Sequence, residues 1–300
     1  MAVCDRAPAQ AVAGIPALDP VPPVALVLTG SLSIQFGAAL GATLFDDLGA
    51  AGTSVLRLGL AALILVALWR PRPRDYPKPA LRLMVIFGLT LGAMNLCFYE
   101  ALDRIPLGVA VTIEFIGPMS VAVALSRRVM DFVWIALAVA GIVLLANPFG
   151  ADAIDVVGLI FVLAAAMFWA AYILLAQRAG QVFPGGHGLA MAAVVAVLVP
   201  IGPGIAQGGA ALLSPELLAI GALVAIASSV IPYTLETEAL RRMPARVFGV
   251  LMSLEPAVAA LAGFLVLDQA LDGVELVAVG LVIAASIGVT RSGAPPPVEA

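Results

Sequence analysis

The chain has 300 residues, of which 62% are hydrophobic and 11% charged, with a formal net charge of −4. An ordinary soluble domain carries roughly 25% charged residues, so this composition excludes a soluble enzyme or a nucleic-acid-binding module and indicates a chain solvated largely by lipid. The two cysteines, Cys4 and Cys97, lie far apart and supply neither a disulfide framework nor a metal cluster.

Residues 1–23 are rich in Ala and Pro and lack a basic segment leading straight into an apolar core, so they read as a disordered cytoplasmic tail and not as a cleaved signal. Apolar stretches suited to a ~30 Å hydrocarbon core then recur ten times, at about 24–44, 51–69, 81–101, 107–125, 132–147, 156–176, 188–206, 217–237, 246–266 and 274–290. Open sheets cannot cross lipid with unpaired backbone groups, so the spans are helices. Span one carries Ser31 and Gln35, four apart and on one helix face. Arg57 in span two is the only basic group well inside a span. Span three pairs Asn95 with Tyr99, span six pairs Trp169 with Tyr172, and span eight pairs Tyr233 with Thr237, one turn beyond Ser229. Spans four and nine each hold a deep carboxylate beside a proline: Glu114 before Pro118, and Glu255 before Pro256. At 1.5 Å per residue these lie ~10 Å and ~13 Å deep. Residues 148–155 form a linker, and 292–300 a second Pro-rich tail.

An ionisable group near the bilayer centre costs ~2.5–3.5 kcal/mol on insertion scales, so each requires a reason. Pro118 has no amide hydrogen for the carbonyl of Glu114, and Pro256 none for that of Met252. A carboxylate beside a freed carbonyl suits an ammonium group or a proton. A kinked, packed helix whose Glu is neutral or paired with Arg57 accounts for the same residues. The polar pairs fit a lumen-facing stripe and equally fit interhelical hydrogen bonding, and Trp169 also fits core packing or an interfacial anchor. Glu100, Glu236 and Glu238 fall at span ends, where headgroup-level solvation explains them. Gly37-x-x-x-Gly41 and Gly88-x-x-x-Gly92 read as packing seams, and His187, in a Gly-rich loop, carries no mechanistic expectation.

Lysine and arginine orient the chain through the positive-inside tendency. Arg6, the Arg70–Arg82 cluster, Arg127, Arg128, Arg178, Arg241, Arg242, Arg246 and Arg291 fall on one side of the alternating spans, and Arg104 alone on the other. Both termini are therefore expected in the cytoplasm. The chain also repeats itself: Glu100-Ala101-Leu102-Asp103-Arg104-Ile105-Pro106 returns as Glu238-Ala239-Leu240-Arg241-Arg242-Met243-Pro244 at an offset of 138 residues. Each copy lies in a half of five spans, 24–147 and 156–291, and five is odd, so the copies face opposite sides. The expected fold is an all-α integral membrane protein of ten transmembrane helices, built as two inverted-topology five-helix repeats, a recurring construction of secondary transporters.

Several stretches resemble the drug/metabolite transporter superfamily in its EamA-type, two-repeat form, and more narrowly the RhtA-type threonine and homoserine exporters. They are Pro106–Val111 through Glu114-Phe115-Ile116-Gly117-Pro118, Ser126-Arg127-Arg128 with Asp131–Trp134, Gln177–Gly180, and Pro232-Tyr233 leading to Met252–Ala257. The resemblance implies a multi-pass exporter of small amino acids in the bacterial inner membrane, driven by a proton gradient and without a cofactor. Many relatives place Gly-Glu where this chain has Asp268-Gln269, so any role of that Glu does not carry over. Other cargoes of the same fold are a drug, a cationic metabolite or a nucleotide-sugar, the last disfavoured by the single deep Arg. A non-transporting sensor or scaffold is the rival from another class. Intramembrane catalysis is disfavoured, because the spans hold neither paired Asp nor His, and no phosphate-binding Gly-x-x-x-x-Gly-Lys run is present.

Overall fold

The computed structural model describes residues 18–124, 130–146, 154–243, 248 and 251–292. The regular elements among them are helical: α1 (Pro23–Ala42), α2 (Phe45–Trp69), α3 (Lys78–Leu102), α4 (Leu107–Glu114), α5 (Ile116–Ala124), α6 (Met130–Ala146), α7 (Val156–Val182), α8 (His187–Ala196), α9 (Ile201–Gly208), α10 (Pro215–Ala225), α11 (Ile231–Arg242), α12 (Glu255–Leu267) and α13 (Gly273–Ser292). A π turn, Ile226–Val230, joins α10 to α11. Most of both expected tails, Arg127, Arg128, Arg246 and most of the 148–155 linker lie outside the described residues.

Among the described residues, α1, α2, α3, α7 and the continuous segment Pro215–Glu236 are each long and apolar enough to cross a membrane. The segment expected as one span over 188–206 is instead two helices, α8 and α9, bent by 54°. Pro200 and the Gly202-Pro203-Gly204 run explain the break, since proline offers no amide hydrogen and crowds the preceding turn. The fourth expected span is also divided, at Phe115, and α12 begins only after a turn at Ser253–Leu254. Pro118 and Pro256 each lie in the first turn after a break, where the amide they lack has no helical partner. Leu63, Phe132 and Met167 are 68%, 72% and 75% exposed, which places lipid and not water around the bundle.

The helices pack as reciprocal pairs. α3 runs along α7 and α1 along α11, while α2 packs on α8 and α9, α6 on α13, and α4 on α12. Glycine permits the closest approaches. Gly37 of α1 faces the backbone of Ser228, and Gly88 and Gly92 of α3 face the carbonyls of Ala192 and Ala196. Gly92→Val should therefore overpack the α3–α8 seam and cost about 1–3 kcal/mol, read as a lower thermal-unfolding midpoint in detergent. Gly59→Ala, whose new Cβ would meet nothing within 4 Å, should leave the midpoint unchanged or raise it.

Both copies of the repeated motif make the same ion pair. Arg104 meets Glu100 at 3.0 Å and Arg242 meets Glu238 at 2.9 Å, each one helical turn apart. Each arginine also reaches the leading segment of the other half: Arg104 lies 5.4 Å from the Phe161 ring centroid on α7, and Arg242 donates to the carbonyls of Leu18, Asp19 and Val21 just before α1. Near Arg104, α2 is interrupted at Gly49, whose φ of 69° favours glycine. Gln207 fills that interruption, accepting from Ala51 N at 2.8 Å and donating to Glu100 at 3.3 Å. In the α2–α3 connection, Tyr76 Oη lies 2.8 Å from His187 Nδ1. Burial, helped by Asp75, pushes the Tyr76 hydroxyl above its ordinary range.

Candidate functional site

The breaks beside Glu114 and Glu255 open on a cavity of about 120 Å³, smaller than the ~300–1,000 Å³ typical of small-molecule sites. Its charged wall comes from four elements: Arg57 of α2, Glu114 of α4, Glu236 of α11 and Glu255 of α12. Gln35, Asn95, Tyr172 and Tyr233 add polar edges, while Met94, Phe98 and Met252 supply apolar surface.

Arg57 is 5% exposed and held on two sides. Its Nε donates to Ser229 Oγ at 3.4 Å and its Nη2 to the Ser228 carbonyl at 3.1 Å, both on the π turn. A π turn changes which backbone carbonyls are used inside the helix, and such turns are frequent at functional sites. The guanidinium lies 5.3 Å from the Tyr99 ring centroid, a cation–π contact that fixes its plane. Among the described residues no carboxylate comes within ion-pair distance of Arg57, so Glu114 is not its direct partner.

Glu114 ends α4 and Glu255 begins α12. The two deep carboxylates thus sit at helix ends of opposite polarity, with the partial negative charge of a C-terminus beside Glu114 and the positive charge of an N-terminus beside Glu255. Ser31 Oγ approaches Glu255 Oε1 at 3.5 Å. Glu114 is 7% exposed, and among the described residues neither it nor Glu236 has a hydrogen bond or ion pair. Phe115, the break residue, stands edge-on to Trp169 at 5.4 Å, which sets the tryptophan into the wall. Tyr172 packs on Phe87 at 5.3 Å.

Several sequence expectations are relocated. Tyr99 does not line the cavity. It is fully buried behind Arg57, with its ring in the space left by Gly41 and packed against Phe45 and Phe98. Glu236, expected at headgroup level, instead faces the cavity. The side chain of Thr237 lies outside the described residues. Asn95 donates to the Leu91 carbonyl at 2.8 Å, a bond within its own helix, while still reaching the cavity. Gln269 accepts from Leu107 N at 2.9 Å and so caps α4 from the loop after α12. A glutamate would offer the same acceptor oxygen there.

A bundle of lipid-facing helices around a charged cavity built at helix breaks defines a polytopic membrane protein with a central small-molecule site. Residues 156–291 match the EamA-like transporter family. The chain is 42% identical over 270 residues to the threonine/homoserine exporter RhtA of Escherichia coli (strain K12), covering 89% of this chain and 91% of that protein. The same figures hold for the threonine/homoserine exporter RhtA of Salmonella typhimurium (strain LT2). A crystal structure only 17% identical shares the fold, with a TM-score of 0.63 over 90% of this chain and 97% of the other. The chain belongs to the EamA-like transporter family, in its RhtA-like form, and is a membrane transporter.

Proposed function

We propose that this protein is a secondary-active, proton-coupled exporter of small amino acids of the threonine and homoserine type. It sits in the bacterial inner membrane with both termini in the cytoplasm, as ten spans in two inverted repeats, 24–147 and 156–291, that exchange access to the central cavity. The observation that carries this reading is one fixed guanidinium facing carboxylates across a small, partly apolar cavity, the complement of a zwitterion. Arg57 receives the cargo carboxylate. Glu114 and the carbonyl freed by Pro118 receive the ammonium, an arrangement typical of broken helices in transporters. Gln35, Asn95 and Tyr233 serve the cargo hydroxyl, Glu255 adds to the negative field, and Trp169 and Tyr172 bound its carbon skeleton.

Two further observations support the inverted repeat. Under the 138-residue offset, α3 falls on the α10–α11 unit and α1 on α7, so the packing of α3 on α7 exchanges with that of α11 on α1. The two Glu–Arg pairs exchange in the same way, Arg104 touching α7 at the start of the second half and Arg242 the residues just before α1 at the start of the first. Alternating access follows if these halves rock against one another.

The test is counterflow of labelled threonine into liposomes holding the purified protein and excess unlabelled threonine. Threonine and homoserine in the outer buffer should compete, while a nucleotide-sugar should not. Absence of counterflow would favour the sensor or scaffold reading. A second reading, a cationic metabolite, is favoured by three cavity carboxylates to one arginine, and stronger competition by a diamino acid than by homoserine would select it.

A further inference from the structure

We infer that Glu236 carries the coupling proton, separately from the carboxylates that hold the cargo; this rests on the exporter reading above. Three cavity carboxylates face one arginine, yet a zwitterion has a single ammonium to offer them. The positions of the three divide the work. Glu114 ends α4 beside a carbonyl that Pro118 cannot engage, which gathers acceptors for a three-donor ammonium group. Glu255 is 2% exposed, has Ser31 Oγ within 3.5 Å and opens α12, so its carboxylate is already engaged by α1 and by a helix end. Glu236 has neither arrangement. It is half-buried where Glu114 and Glu255 are buried, so its carboxylate exchanges protons with water more readily than theirs.

Its surroundings connect charge to movement. The ionisable groups facing it across the cavity are Glu114 from α4, Glu255 from α12, Arg57 from α2 and Tyr172 from α7, with Tyr233 on its own helix. From α1 it meets Gly30, where an added Cβ would lie 3.7 Å from Glu236 Cγ. The next residue of α1, Ser31, contacts Glu255. The α1 side of the seam between α1 and α11 therefore touches two of the carboxylates, Glu236 on α11 and Glu255 on α12. The far end of the seam is tied by Arg242 of α11 to the carbonyls before α1. A proton on Glu236 changes the charge beside this seam. The empty cavity changes sides only with that proton in place, while the cargo-bound cavity changes sides without it. The proton binds the carboxylate oxygen on one side of the membrane and leaves it for water on the other, with no other bond made or broken.

Proteoliposomes containing wild type or Glu236→Gln separate this role from cargo binding. Wild type should show threonine counterflow at equal pH, accumulate threonine under an imposed pH gradient, and move protons when threonine is added, read by an enclosed pH dye. Glu236→Gln should keep counterflow within about threefold while gradient-driven accumulation and the dye response fall at least tenfold. Surviving counterflow also shows that the variant is folded. Accumulation by Glu236→Gln equal to wild type would overturn the assignment. An equal loss of counterflow and accumulation, in protein whose unfolding midpoint matches wild type, would make Glu236 a cargo residue and overturn it as well. Wild type that counterflows but ignores the pH gradient would overturn the proton role and leave the exporter reading intact. Absence of threonine counterflow in wild type would defeat the exporter reading itself.

Discussion

Arg57→Lys is expected to lower threonine counterflow by about 100-fold although it keeps the positive charge. The guanidinium is committed on one edge to the π turn, through Ser229 Oγ and the Ser228 carbonyl, and its face covers Tyr99. Nη1 is left to meet a carboxylate in the cavity. A lysine ammonium has no plane to stack and no separate edges, so it cannot hold the wall and the cargo in one geometry. Losing a charge-assisted hydrogen bond of ~1.5–3 kcal/mol corresponds to about 10–100-fold in affinity, and misplacing the remaining charge adds to that. Arg57→Ala should reduce flux as far and also destabilise the fold by about 1–3 kcal/mol, because the Ser228 carbonyl loses its buried donor. Ser229→Ala provides the comparison. It removes only a 3.4 Å contact, so counterflow should fall by no more than about threefold. If Arg57→Lys transports like wild type, the proposed carboxylate site at Arg57 is wrong.

Much of this cavity was legible in the sequence because membrane burial makes charge conspicuous. Glu114, Glu255 and Arg57 stand out in apolar spans, and the neighbouring prolines mark the breaks that place the two glutamates at helix ends. Glu236 was hidden for a physical reason. It stands two residues before Glu238, which pairs with Arg242, and a carboxylate so near a basic helix end is ordinarily solvated at the headgroups. What turns Glu236 inward is the π turn at Ile226–Val230, an extra backbone step that shifts the phase of the helix after it and leaves no mark in composition. Tyr99 was misplaced for the opposite reason. A spacing of four does put it on the Asn95 face, but that face continues past the end of the cavity, and Gly41 there leaves room for a ring. The bend between α8 and α9 likewise depends on how Pro200 and the following glycines resolve, which apolar length alone does not register.

Glu114→Gln is expected to raise the half-saturating threonine concentration by about 10- to 100-fold, the worth of one charge-assisted hydrogen bond in a buried site. The amide matches the carboxylate in size, so neither cavity volume nor the contact between Phe115 and Trp169 should change. The break after α4 should persist too, since it arises from Pro118 and not from the charge. A loss of function here is therefore attributable to the carboxylate, and an unfolding midpoint within about 1 °C of wild type should accompany it, as expected for a substitution that removes no protein contact. Glu114→Asp retains the charge but draws it back by one methylene, and an intermediate half-saturating concentration should result. The pattern across assays separates this residue from Glu236. Glu114→Gln should depress counterflow and gradient-driven accumulation together, because both require the ammonium to bind, whereas Glu236→Gln should depress accumulation alone. Unchanged flux in Glu114→Gln at subsaturating threonine would remove Glu114 from the cargo site and leave its burial in the membrane to be explained by packing.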